Sequence, residues 1–412
     1  MPAYLSLLRT RRDFRRLWLG ASVSVMGDSM TFIALSWLVL AEPDGTAKLG
    51  LLALCYTAPV LIGGLVAGPL LDRFDKRAAL IADSVLRGLA VASIPLAAVA
   101  GGVPSWLPFL VAGVYGLLKM VPMAAVPAAI PDLVAPEERD AANALESVSY
   151  SLSGIIGFTL AAPLLGAVGP ATLLAVDAAT YACFALAVTL IRHPLRPHEK
   201  PRPSSPAASR PVFRDKVLIG TTLAFMAFNI AEGALTMVVA PWLAKEQLPG
   251  DGATLSLLMA ALSAGELLGG FAAGAWRPRI GRLVAIAVVE LVAAAGFLAV
   301  LGSPHLLPVA AGFLLVGAFS APMTVWAQSL RMERIPPSQR GRVFGVFRTM
   351  MQATPPIGAA LVTPLLVAGN LTGAVILMTA LAAVPAFALL LLRESPVSEQ
   401  TPQTAPQPVG DH

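Results

Sequence analysis

Charged residues are scarce in this chain, and so are cysteines. Only 13% of its 412 residues are Asp, Glu, Lys or Arg, whereas soluble globular domains carry about a quarter. The two cysteines, Cys55 and Cys183, fall inside long apolar runs, where they act as small packing residues and indicate neither a disulfide nor a metal site. The shortage of charge excludes an ordinary soluble domain.

Catalytic motifs are missing as well. The chain has no nucleotide-binding glycine loop, no constellation around a nucleophile and no cluster of metal ligands. These absences argue against an enzyme, and no cofactor is predicted. The net charge of +5 indicates membrane orientation and contact with anionic lipid headgroups rather than nucleic-acid binding.

Long apolar runs make up most of the sequence. Hydrophobic residues make up 56% of the chain, and the mean hydropathy is +0.74. The runs are about 20 residues long, which is the length a helix needs to cross a bilayer. Because the bilayer core has no water to hydrogen-bond the backbone, such runs must form helices. The sequence therefore predicts an all-α membrane protein with twelve spans, numbered here in chain order. They lie near residues 17–40, 49–71, 78–100, 104–128, 142–168, 170–191, 215–243, 253–275, 281–302, 304–328, 342–368 and 371–392.

The distribution of Lys and Arg predicts the orientation of these spans. If both termini are cytoplasmic, 24 of the 29 basic residues fall at the cytoplasmic side, and only Lys48 and Lys245 fall in outer loops. Basic residues accumulate in cytoplasmic loops, so we expect a multi-pass protein of the inner (cytoplasmic) membrane with both termini inside. The basic arm before Leu17 lacks a convincing cleavage site, so no cleavable signal is expected.

The chain divides into two similar halves. We expect an N-terminal six-helix half at 1–191, a cytoplasmic linker at 192–214, a C-terminal six-helix half at 215–393 and a disordered tail at 394–412. The segment "GGLVAGPLLDRFDKR" from residue 63 aligns with "GGFAAGAWRPRIGRL" from residue 269. An internal repeat of this kind is typical of transporters.

Two six-helix halves, with a glycine-rich turn bearing Asp and Arg between spans 2 and 3, resemble the major facilitator superfamily. The segments "GDSMTFIALSWLVL", "LDRFDKR" and "DAATYA" are similar to the branch that contains macrolide-efflux and siderophore-export permeases. The resemblance implies a monomeric secondary transporter that exports amphipathic small molecules by proton-coupled alternating access. An importer or lipid flippase using the same cavity is the alternative, and a non-transporting membrane receptor is less favoured.

The turn at 68–77 predicts a contact between the halves. Gly64 and Gly68 lie four residues apart on span 2, which lets a neighbouring helix approach closely, and Asp72 follows with Arg73 and Arg77. A carboxylate at this position can pair with an arginine or with a helix N-terminus. Alternatively, these charges are ordinary topology signals.

The resemblance implies that Asp72 contacts the start of span 11, at Arg340 and Arg342. This latch would hold the halves together on the inside and favour the outward-facing state. In the second copy of the turn Pro278 replaces the acid, so the latch is predicted to be one-sided.

Acidic residues inside spans are costly and mark functional sites by default. Asp28 lies near the middle of span 1, and the resemblance places spans 1, 4, 7 and 10 around the central cavity. Asp28 is therefore the leading site for protons or substrate, with Glu232 and Glu266 in the second half as further candidates. Each acid could instead satisfy a neighbouring polar group. We expect Asp177 and Glu290, on peripheral spans, to be structural.

Other polar residues within the spans are candidates for the cavity wall or for gating. Asn229 and Trp326 are candidate cavity residues on spans 7 and 10. Lys119 and Arg348 could neutralise an acid or attract an anionic group, or could extend to the inner surface. Asp83 and Arg87 lie four residues apart on span 3 and share a helical face, so they can pair, either for neutralisation or for gating. 

Overall fold

A computed structural model of the chain describes residues 2–195, 215–249, 251–275, 280–335, 347, 350–351 and 353–392. Within these ranges the protein is helical and contains no strand. We number its α-helices in chain order as α1 to α15. Their bounds are Pro2–Thr10, Arg12–Leu40, Gly45–Thr57, Pro59–Arg73, Lys76–Val99, Leu107–Leu118, Met120–Leu133, Arg139–Thr189, Lys216–Ala234, Ala240–Glu246, Asp251–Ala275, Arg282–Leu298, Leu306–Arg334, Pro355–Val367 and Leu371–Leu391.

The predicted all-α membrane fold is confirmed. Ten helical segments in the described ranges are long and apolar enough to cross a membrane. Spans 2 and 4 are each formed by two consecutive helices, α3 with α4 and α6 with α7, and span 7 by α9, a π-helical turn at Leu235–Val239 and α10. The first part of α8 and the shorter α14 lie at the positions of the two remaining predicted spans, so the arrangement fits twelve.

Gly169 divides α8 into two predicted spans. Its backbone has φ 76° and ψ 171°, a conformation outside the helical region. A positive φ of this size favours glycine, because a Cβ atom would clash with the backbone. Pro170 follows and starts the next helix, so one residue allows the chain to reverse direction at the end of span 5.

Each half joins its second and fourth spans by a reciprocal glycine contact. A Cβ atom at Gly63 would lie 2.0 Å from a backbone carbonyl oxygen of α6, and one at Gly116 would lie 2.4 Å from a carbonyl oxygen of α3. In the second half, Cβ atoms at Gly265 and Gly317 would lie 2.2 and 2.0 Å from carbonyl oxygens of α13 and α11. Small residues allow backbones to approach this closely, so the internal repeat is present in the packing.

The close contact on span 2 lies next to the predicted pair rather than at it. A side chain at Gly64 would meet only Met120, at 3.8 Å, and one at Gly68 would meet nothing within 4 Å. The prediction that a neighbouring helix approaches closely at Gly64 and Gly68 is therefore wrong by one residue, because the close contact is at Gly63. Gly63 points at the neighbouring helix because consecutive residues of a helix face directions about 100° apart.

The two halves meet closely at the end of the bundle opposite the N terminus. A Cβ atom at Gly50 of α3 would lie 2.3 Å from the hydroxyl of Thr363 on α14, and one at Gly252 of α11 would lie 2.1 Å from Leu165 of α8. Near these contacts Met237, on the π-helical turn, faces Tyr56 across a small void. At this end, residues from both halves are therefore in close contact.

At the other end, the start of α2 is tied to the loops. Arg11 donates a hydrogen bond of 2.8 Å to Glu138, whose carboxylate also accepts the N–H of Ala135 at 3.0 Å. The Ala135 N–H and the Arg11 guanidinium hold the pKa of Glu138 below its ordinary value. The carboxylate of Asp13 accepts the N–H groups of Arg192 and His193, each at 3.0 Å. The predicted linker beyond residue 195 and the tail beyond residue 392 lie outside the described residues.

Candidate functional site

A cavity of about 380 Å³ lies inside the N-terminal half. Helices of spans 1, 3, 4, 5 and 6 line it, and it extends toward the end of the bundle that carries the N terminus. Four charged side chains belong to its wall, namely Asp28, Arg87, Lys119 and Glu146. The remaining wall is largely apolar or aromatic, so the cavity suits a molecule with both apolar and polar parts.

Asp28 joins a buried polar network at the inner wall of this cavity. Tyr181 donates a hydrogen bond of 2.5 Å to Asp28 Oδ1. Arg87 Nη1 lies 3.7 Å from the same oxygen and donates to the Tyr181 hydroxyl at 3.2 Å. The predicted pair of Asp83 and Arg87 also forms, with two Nε distances of 3.1 Å and a further short contact from Nη2.

Aromatic rings enclose the Arg87 guanidinium. Its carbon lies 4.7 Å from the centre of the Tyr181 ring and 5.6 Å from that of Tyr115. Tyr115 stacks on Tyr56 with ring centres 4.4 Å apart. A cation against aromatic faces gains electrostatic attraction without water, which helps to hold a charge at this depth.

Asp177 lies beside the network. One carboxylate oxygen accepts a hydrogen bond from the Thr31 hydroxyl, and the other accepts one from Thr180 at 2.8 Å. A Cβ atom at Gly27 would lie 1.9 Å from the Asp177 carboxylate, so a larger residue there would displace that carboxylate. Because both oxygens are hydrogen-bonded within the protein, the geometry favours the structural role predicted for Asp177.

A second cavity, of about 500 Å³, lies in the C-terminal half and contains both predicted acids. Glu232, Glu266 and Asn229 line it together with Ser320. The Ser320 hydroxyl, which donates to the Gly317 carbonyl oxygen at 3.2 Å, lies in the same wall. The aromatic part of the wall comes from Phe225, Phe228 and Phe271. The structure thus brings the three predicted residues of spans 7 and 8 to one site.

The buried acids of the second half have fewer hydrogen-bond partners than those of the first half. One carboxyl oxygen of Glu232 is buried without a hydrogen-bond partner in the described part of the chain. Glu290, on α12, is fully buried, and neither of its carboxyl oxygens has such a partner there. No cavity described above includes Glu290 in its wall, in keeping with the structural role expected from its span.

Trp326 does not line either large cavity, although it was expected to. It is 6% exposed, and its indole N–H points to the carbonyl oxygen of Ala273 at 3.4 Å. It therefore packs between α13 and α11, because the helical face that carries it turns away from the cavity. The predicted cavity residue Arg348 lies outside the described residues.

The predicted latch is described only in part. The side chain of Asp72 and the residues Arg340 and Arg342 lie outside the description, so the latch stays a prediction. In the turn itself, Asp75 accepts the N–H of Arg77 at 2.8 Å and caps α5. The side chain of Arg73 is exposed. 

An ion pair that the sequence did not indicate adjoins this turn. Lys76 Nζ lies 2.9 Å from Asp132, and both side chains are buried. Asp132 is on α7, so the pair ties the start of span 3 to the end of span 4.

Sequence reasoning also missed Tyr181. Its hydroxyl reaches Asp28 across 153 positions in the chain, so no local spacing links the two. The available signal was the segment "DAATYA", in which Asp177 and Tyr181 are four residues apart and share one face of a helix.

Comparison with known proteins shows the family to which the chain belongs. A model of the transmembrane secretion effector family matches residues 5–409. The chain belongs to this family of the major facilitator superfamily. The family and the relatives found are transporters, not enzymes.

Two relatives are bacterial exporters. The chain is 25% identical to the multidrug efflux pump Tap of Mycolicibacterium fortuitum, over 84% of this chain and 87% of that protein. It is 26% identical to the enterobactin exporter EntS of Salmonella typhimurium, over 94% of this chain and 92% of that protein. Both alignments span nearly the whole chain, so they include both halves.

Solved structures share the fold at low identity. A crystal structure of peptide transporter POT in complex with sulfate has a TM-score of 0.75 and 15% identity, covering 92% of this chain and 94% of that chain. A crystal structure of nucleoside transporter NupG has a TM-score of 0.70 and 11% identity, covering 92% of this chain and 99% of that chain. These likenesses confirm the predicted fold class.

Proposed function

We propose that this family member exports amphipathic small molecules in exchange for protons. The observation that carries the proposal is Asp28, an ionisable side chain near the middle of a membrane-spanning helix that is 22% exposed to a cavity. A carboxyl at this depth can take up and release a proton where the substrate binds. The efflux and export functions of the two relatives support the direction.

The arrangement of seals and cavities supports alternating access. Both large cavities lie toward the end of the bundle that carries the N terminus, while Gly50 and Gly252 mark close contacts between the halves at the opposite end. Export requires that the first end close and the second open, so that each site faces one side at a time. Glu232 and Glu266 would then be the corresponding acids of the second half, available to protons or to a basic group of the substrate.

The orientation in the membrane follows from the basic residues. Arg9, Arg12 and Arg15 at the end that carries both large cavities are at least partly exposed to solvent in this structure, and basic residues favour the cytoplasmic side. We therefore propose that both termini are cytoplasmic, in the cytoplasmic membrane. The structure then corresponds to the inward-facing state, in which substrate enters from the cytoplasm.

Reconstitution in liposomes tests the function. Wild-type protein and the Asp28→Asn variant would be given a pH gradient of either direction, and movement of tetraphenylphosphonium and erythromycin would be measured with an entrapped pH dye as proton readout. We expect substrate to move against the proton flow in the wild type, and Asp28→Asn to fall to the level of protein-free liposomes.

Asp44→Asn is the matched control. Asp44 lies in the loop before α3 with φ 57°, a conformation that Asn adopts readily, so the variant removes a carboxylate without disturbing the fold. It should transport like the wild type. Fluxes that ignore the gradient and are equal in wild type and Asp28→Asn would refute proton coupling through Asp28, and substrate moving with the protons would indicate a symporter.

A further inference from the structure

Arg87 has two carboxylates within reach, but they differ in how they hold it. Asp83 contacts Nε and Nη2 of the guanidinium, and its side chain is 1% exposed. Asp28 lies 3.7 Å from Nη1, and its side chain is 22% exposed at the cavity wall. A buried guanidinium needs a counter-charge, and Asp83 supplies one whether or not Asp28 is ionised. Asp28 can therefore change its charge without leaving Arg87 unpaired.

Tyr181 is the group that connects Asp28 to this fixed pair. Its hydroxyl carries one proton, which it donates to Asp28 at 2.5 Å, and its oxygen accepts from Arg87 at 3.2 Å. The side chain is fully buried. Its ring lies against the Arg87 guanidinium, and its Cβ packs against α5, where a Cβ atom at Gly88 would lie 3.1 Å away. The hydroxyl is thus held where its proton points at the Asp28 carboxylate.

We propose that Tyr181 is a positioning residue that sets the pH at which Asp28 exchanges its proton, while Asp83 keeps Arg87 neutralised throughout. The proposal rests on the proposed function, in which Asp28 carries the transported proton. Tyr181 does not itself take part in proton exchange. It acts by the hydrogen bond that stabilises the ionised carboxylate.

Other titratable and charged groups also act on Asp28. They come from every helix packed around it and comprise Arg87 and Asp83 on α5, Tyr56 on α3, Tyr115 on α6, Lys119 between α6 and α7, and Asp177, Glu146 and Tyr181 on α8. Within the described residues, only Tyr181 donates a hydrogen bond to Asp28. Removal of this one hydroxyl therefore isolates its contribution.

Two variants should act in opposite directions. In Tyr181→Phe the carboxylate loses its donor while Asp83 still holds Arg87, so Asp28 should take up a proton at higher pH. In Asp83→Asn the guanidinium loses its main partner and becomes available to Asp28, which should then stay ionised to lower pH. Hydrogen bonds to charged groups correspond to a shift of about one to two pH units. A general loss of packing would not produce shifts of opposite sign.

The test is an infrared pH titration of the protein in lipid nanodiscs, without substrate. The carboxyl band of Asp28 is the one that Asp28→Asn abolishes, and its midpoint would be measured in wild type, Tyr181→Phe and Asp83→Asn. Tyr150→Phe is the matched control, because Tyr150 lines the same cavity, and it should leave the midpoint unchanged. An unshifted midpoint in Tyr181→Phe, or equal shifts in the two tyrosine variants, would overturn the proposal.

A measurement on the wild type covers the case in which Tyr181→Phe does not fold. Protein grown on ring-labelled tyrosine should show a phenol band that changes at the same pH as the Asp28 band, and absence of that change would overturn the proposal. Transport separates this result from the proposed function. If the infrared midpoints shift as expected but transport ignores the pH gradient, the positioning role stands and the proton-coupled function fails. If transport needs Asp28 but its pH profile is the same in Tyr181→Phe, the positioning role fails alone.

Discussion

The two halves of this protein bury acidic residues in different ways. In the N-terminal half, Asp28 accepts from Tyr181, Asp83 holds Arg87, and Asp177 accepts from two threonine hydroxyls. In the C-terminal half, Glu232 has one buried carboxyl oxygen without a partner in the described residues, and Glu290 has two. The halves share their helix order and their reciprocal glycine contacts, so the difference lies in side chains rather than in architecture.

This difference shows which half is built to hold charge. An ionised group away from water needs a counter-charge and hydrogen bonds, and the N-terminal half provides both around Asp28. In the C-terminal cavity the Ser320 hydroxyl lies in the same wall as Glu232 but donates to the Gly317 carbonyl oxygen. The same kind of substitution should therefore have opposite effects on stability in the two halves.

The largest effect is expected at Arg87. In Arg87→Met the carboxylate of Asp83, 1% exposed, loses its counter-charge, and removal of one partner of a buried pair costs about 3–5 kcal/mol. The loss of stability is measured by thermal unfolding in detergent, with the fraction that still elutes as folded monodisperse protein as the readout. The double variant Arg87→Met with Asp83→Leu should regain most of it, because no fully buried carboxylate then lacks its counter-charge, while Asp28 is 22% exposed to the cavity. Equal stability of the single and double variants would show that Asp83 does not depend on Arg87.

A smaller effect, of opposite sign in the two halves, is expected at Asp177 and Glu290. Asp177→Leu leaves the hydroxyls of Thr31 and Thr180 without their carboxylate, whereas Glu290→Met removes two buried oxygens that lack partners. An unsatisfied buried polar group costs about 1–3 kcal/mol, so the first variant should lower the free energy of unfolding and the second should raise it. The same unfolding assay applies. Destabilisation by Glu290→Met would mean that this acid has a favourable role, and the contrast between the halves would then not hold.

Sequence patterns predicted the features that depend on one helix at a time. Apolar runs predicted the helices, and the spacing of Asp83 and Arg87 predicted their pair. Features that depend on the relative rotation of two helices were missed: Tyr181 reaches Asp28 from another span, Gly63 rather than Gly64 makes the close contact, and Trp326 faces α11 instead of the cavity. Neighbouring residues of a helix point in directions about 100° apart, so a small rotation of a helix changes which residue faces its neighbour. The residue spacing within one span does not fix the rotation of that span relative to a distant one.

The smallest effect is expected at the turn between spans 2 and 3, where the halves differ by one acid. If Asp72 contacts the start of span 11, Asp72→Asn should raise the inward-open fraction up to about fivefold, because an exposed ion pair contributes up to about 1 kcal/mol. Spin labels at Thr189 and Gln328, both exposed near the N-terminal end of the bundle, would report the distance between the halves in a variant without Cys55 and Cys183.

Asp75→Asn is the control that separates a latch from a simple change in charge. Asp75 is in the same turn and accepts the N–H of Arg77 at 2.8 Å, a helix cap that Asn can also make, so this variant loses the same charge and keeps the turn. Its distance distribution should match that of the wild type. If both variants shift equally, the charge of the turn and not Asp72 controls the opening. If neither shifts, the first half has no latch that the second half lacks, and the difference between the halves is confined to the acids within the spans.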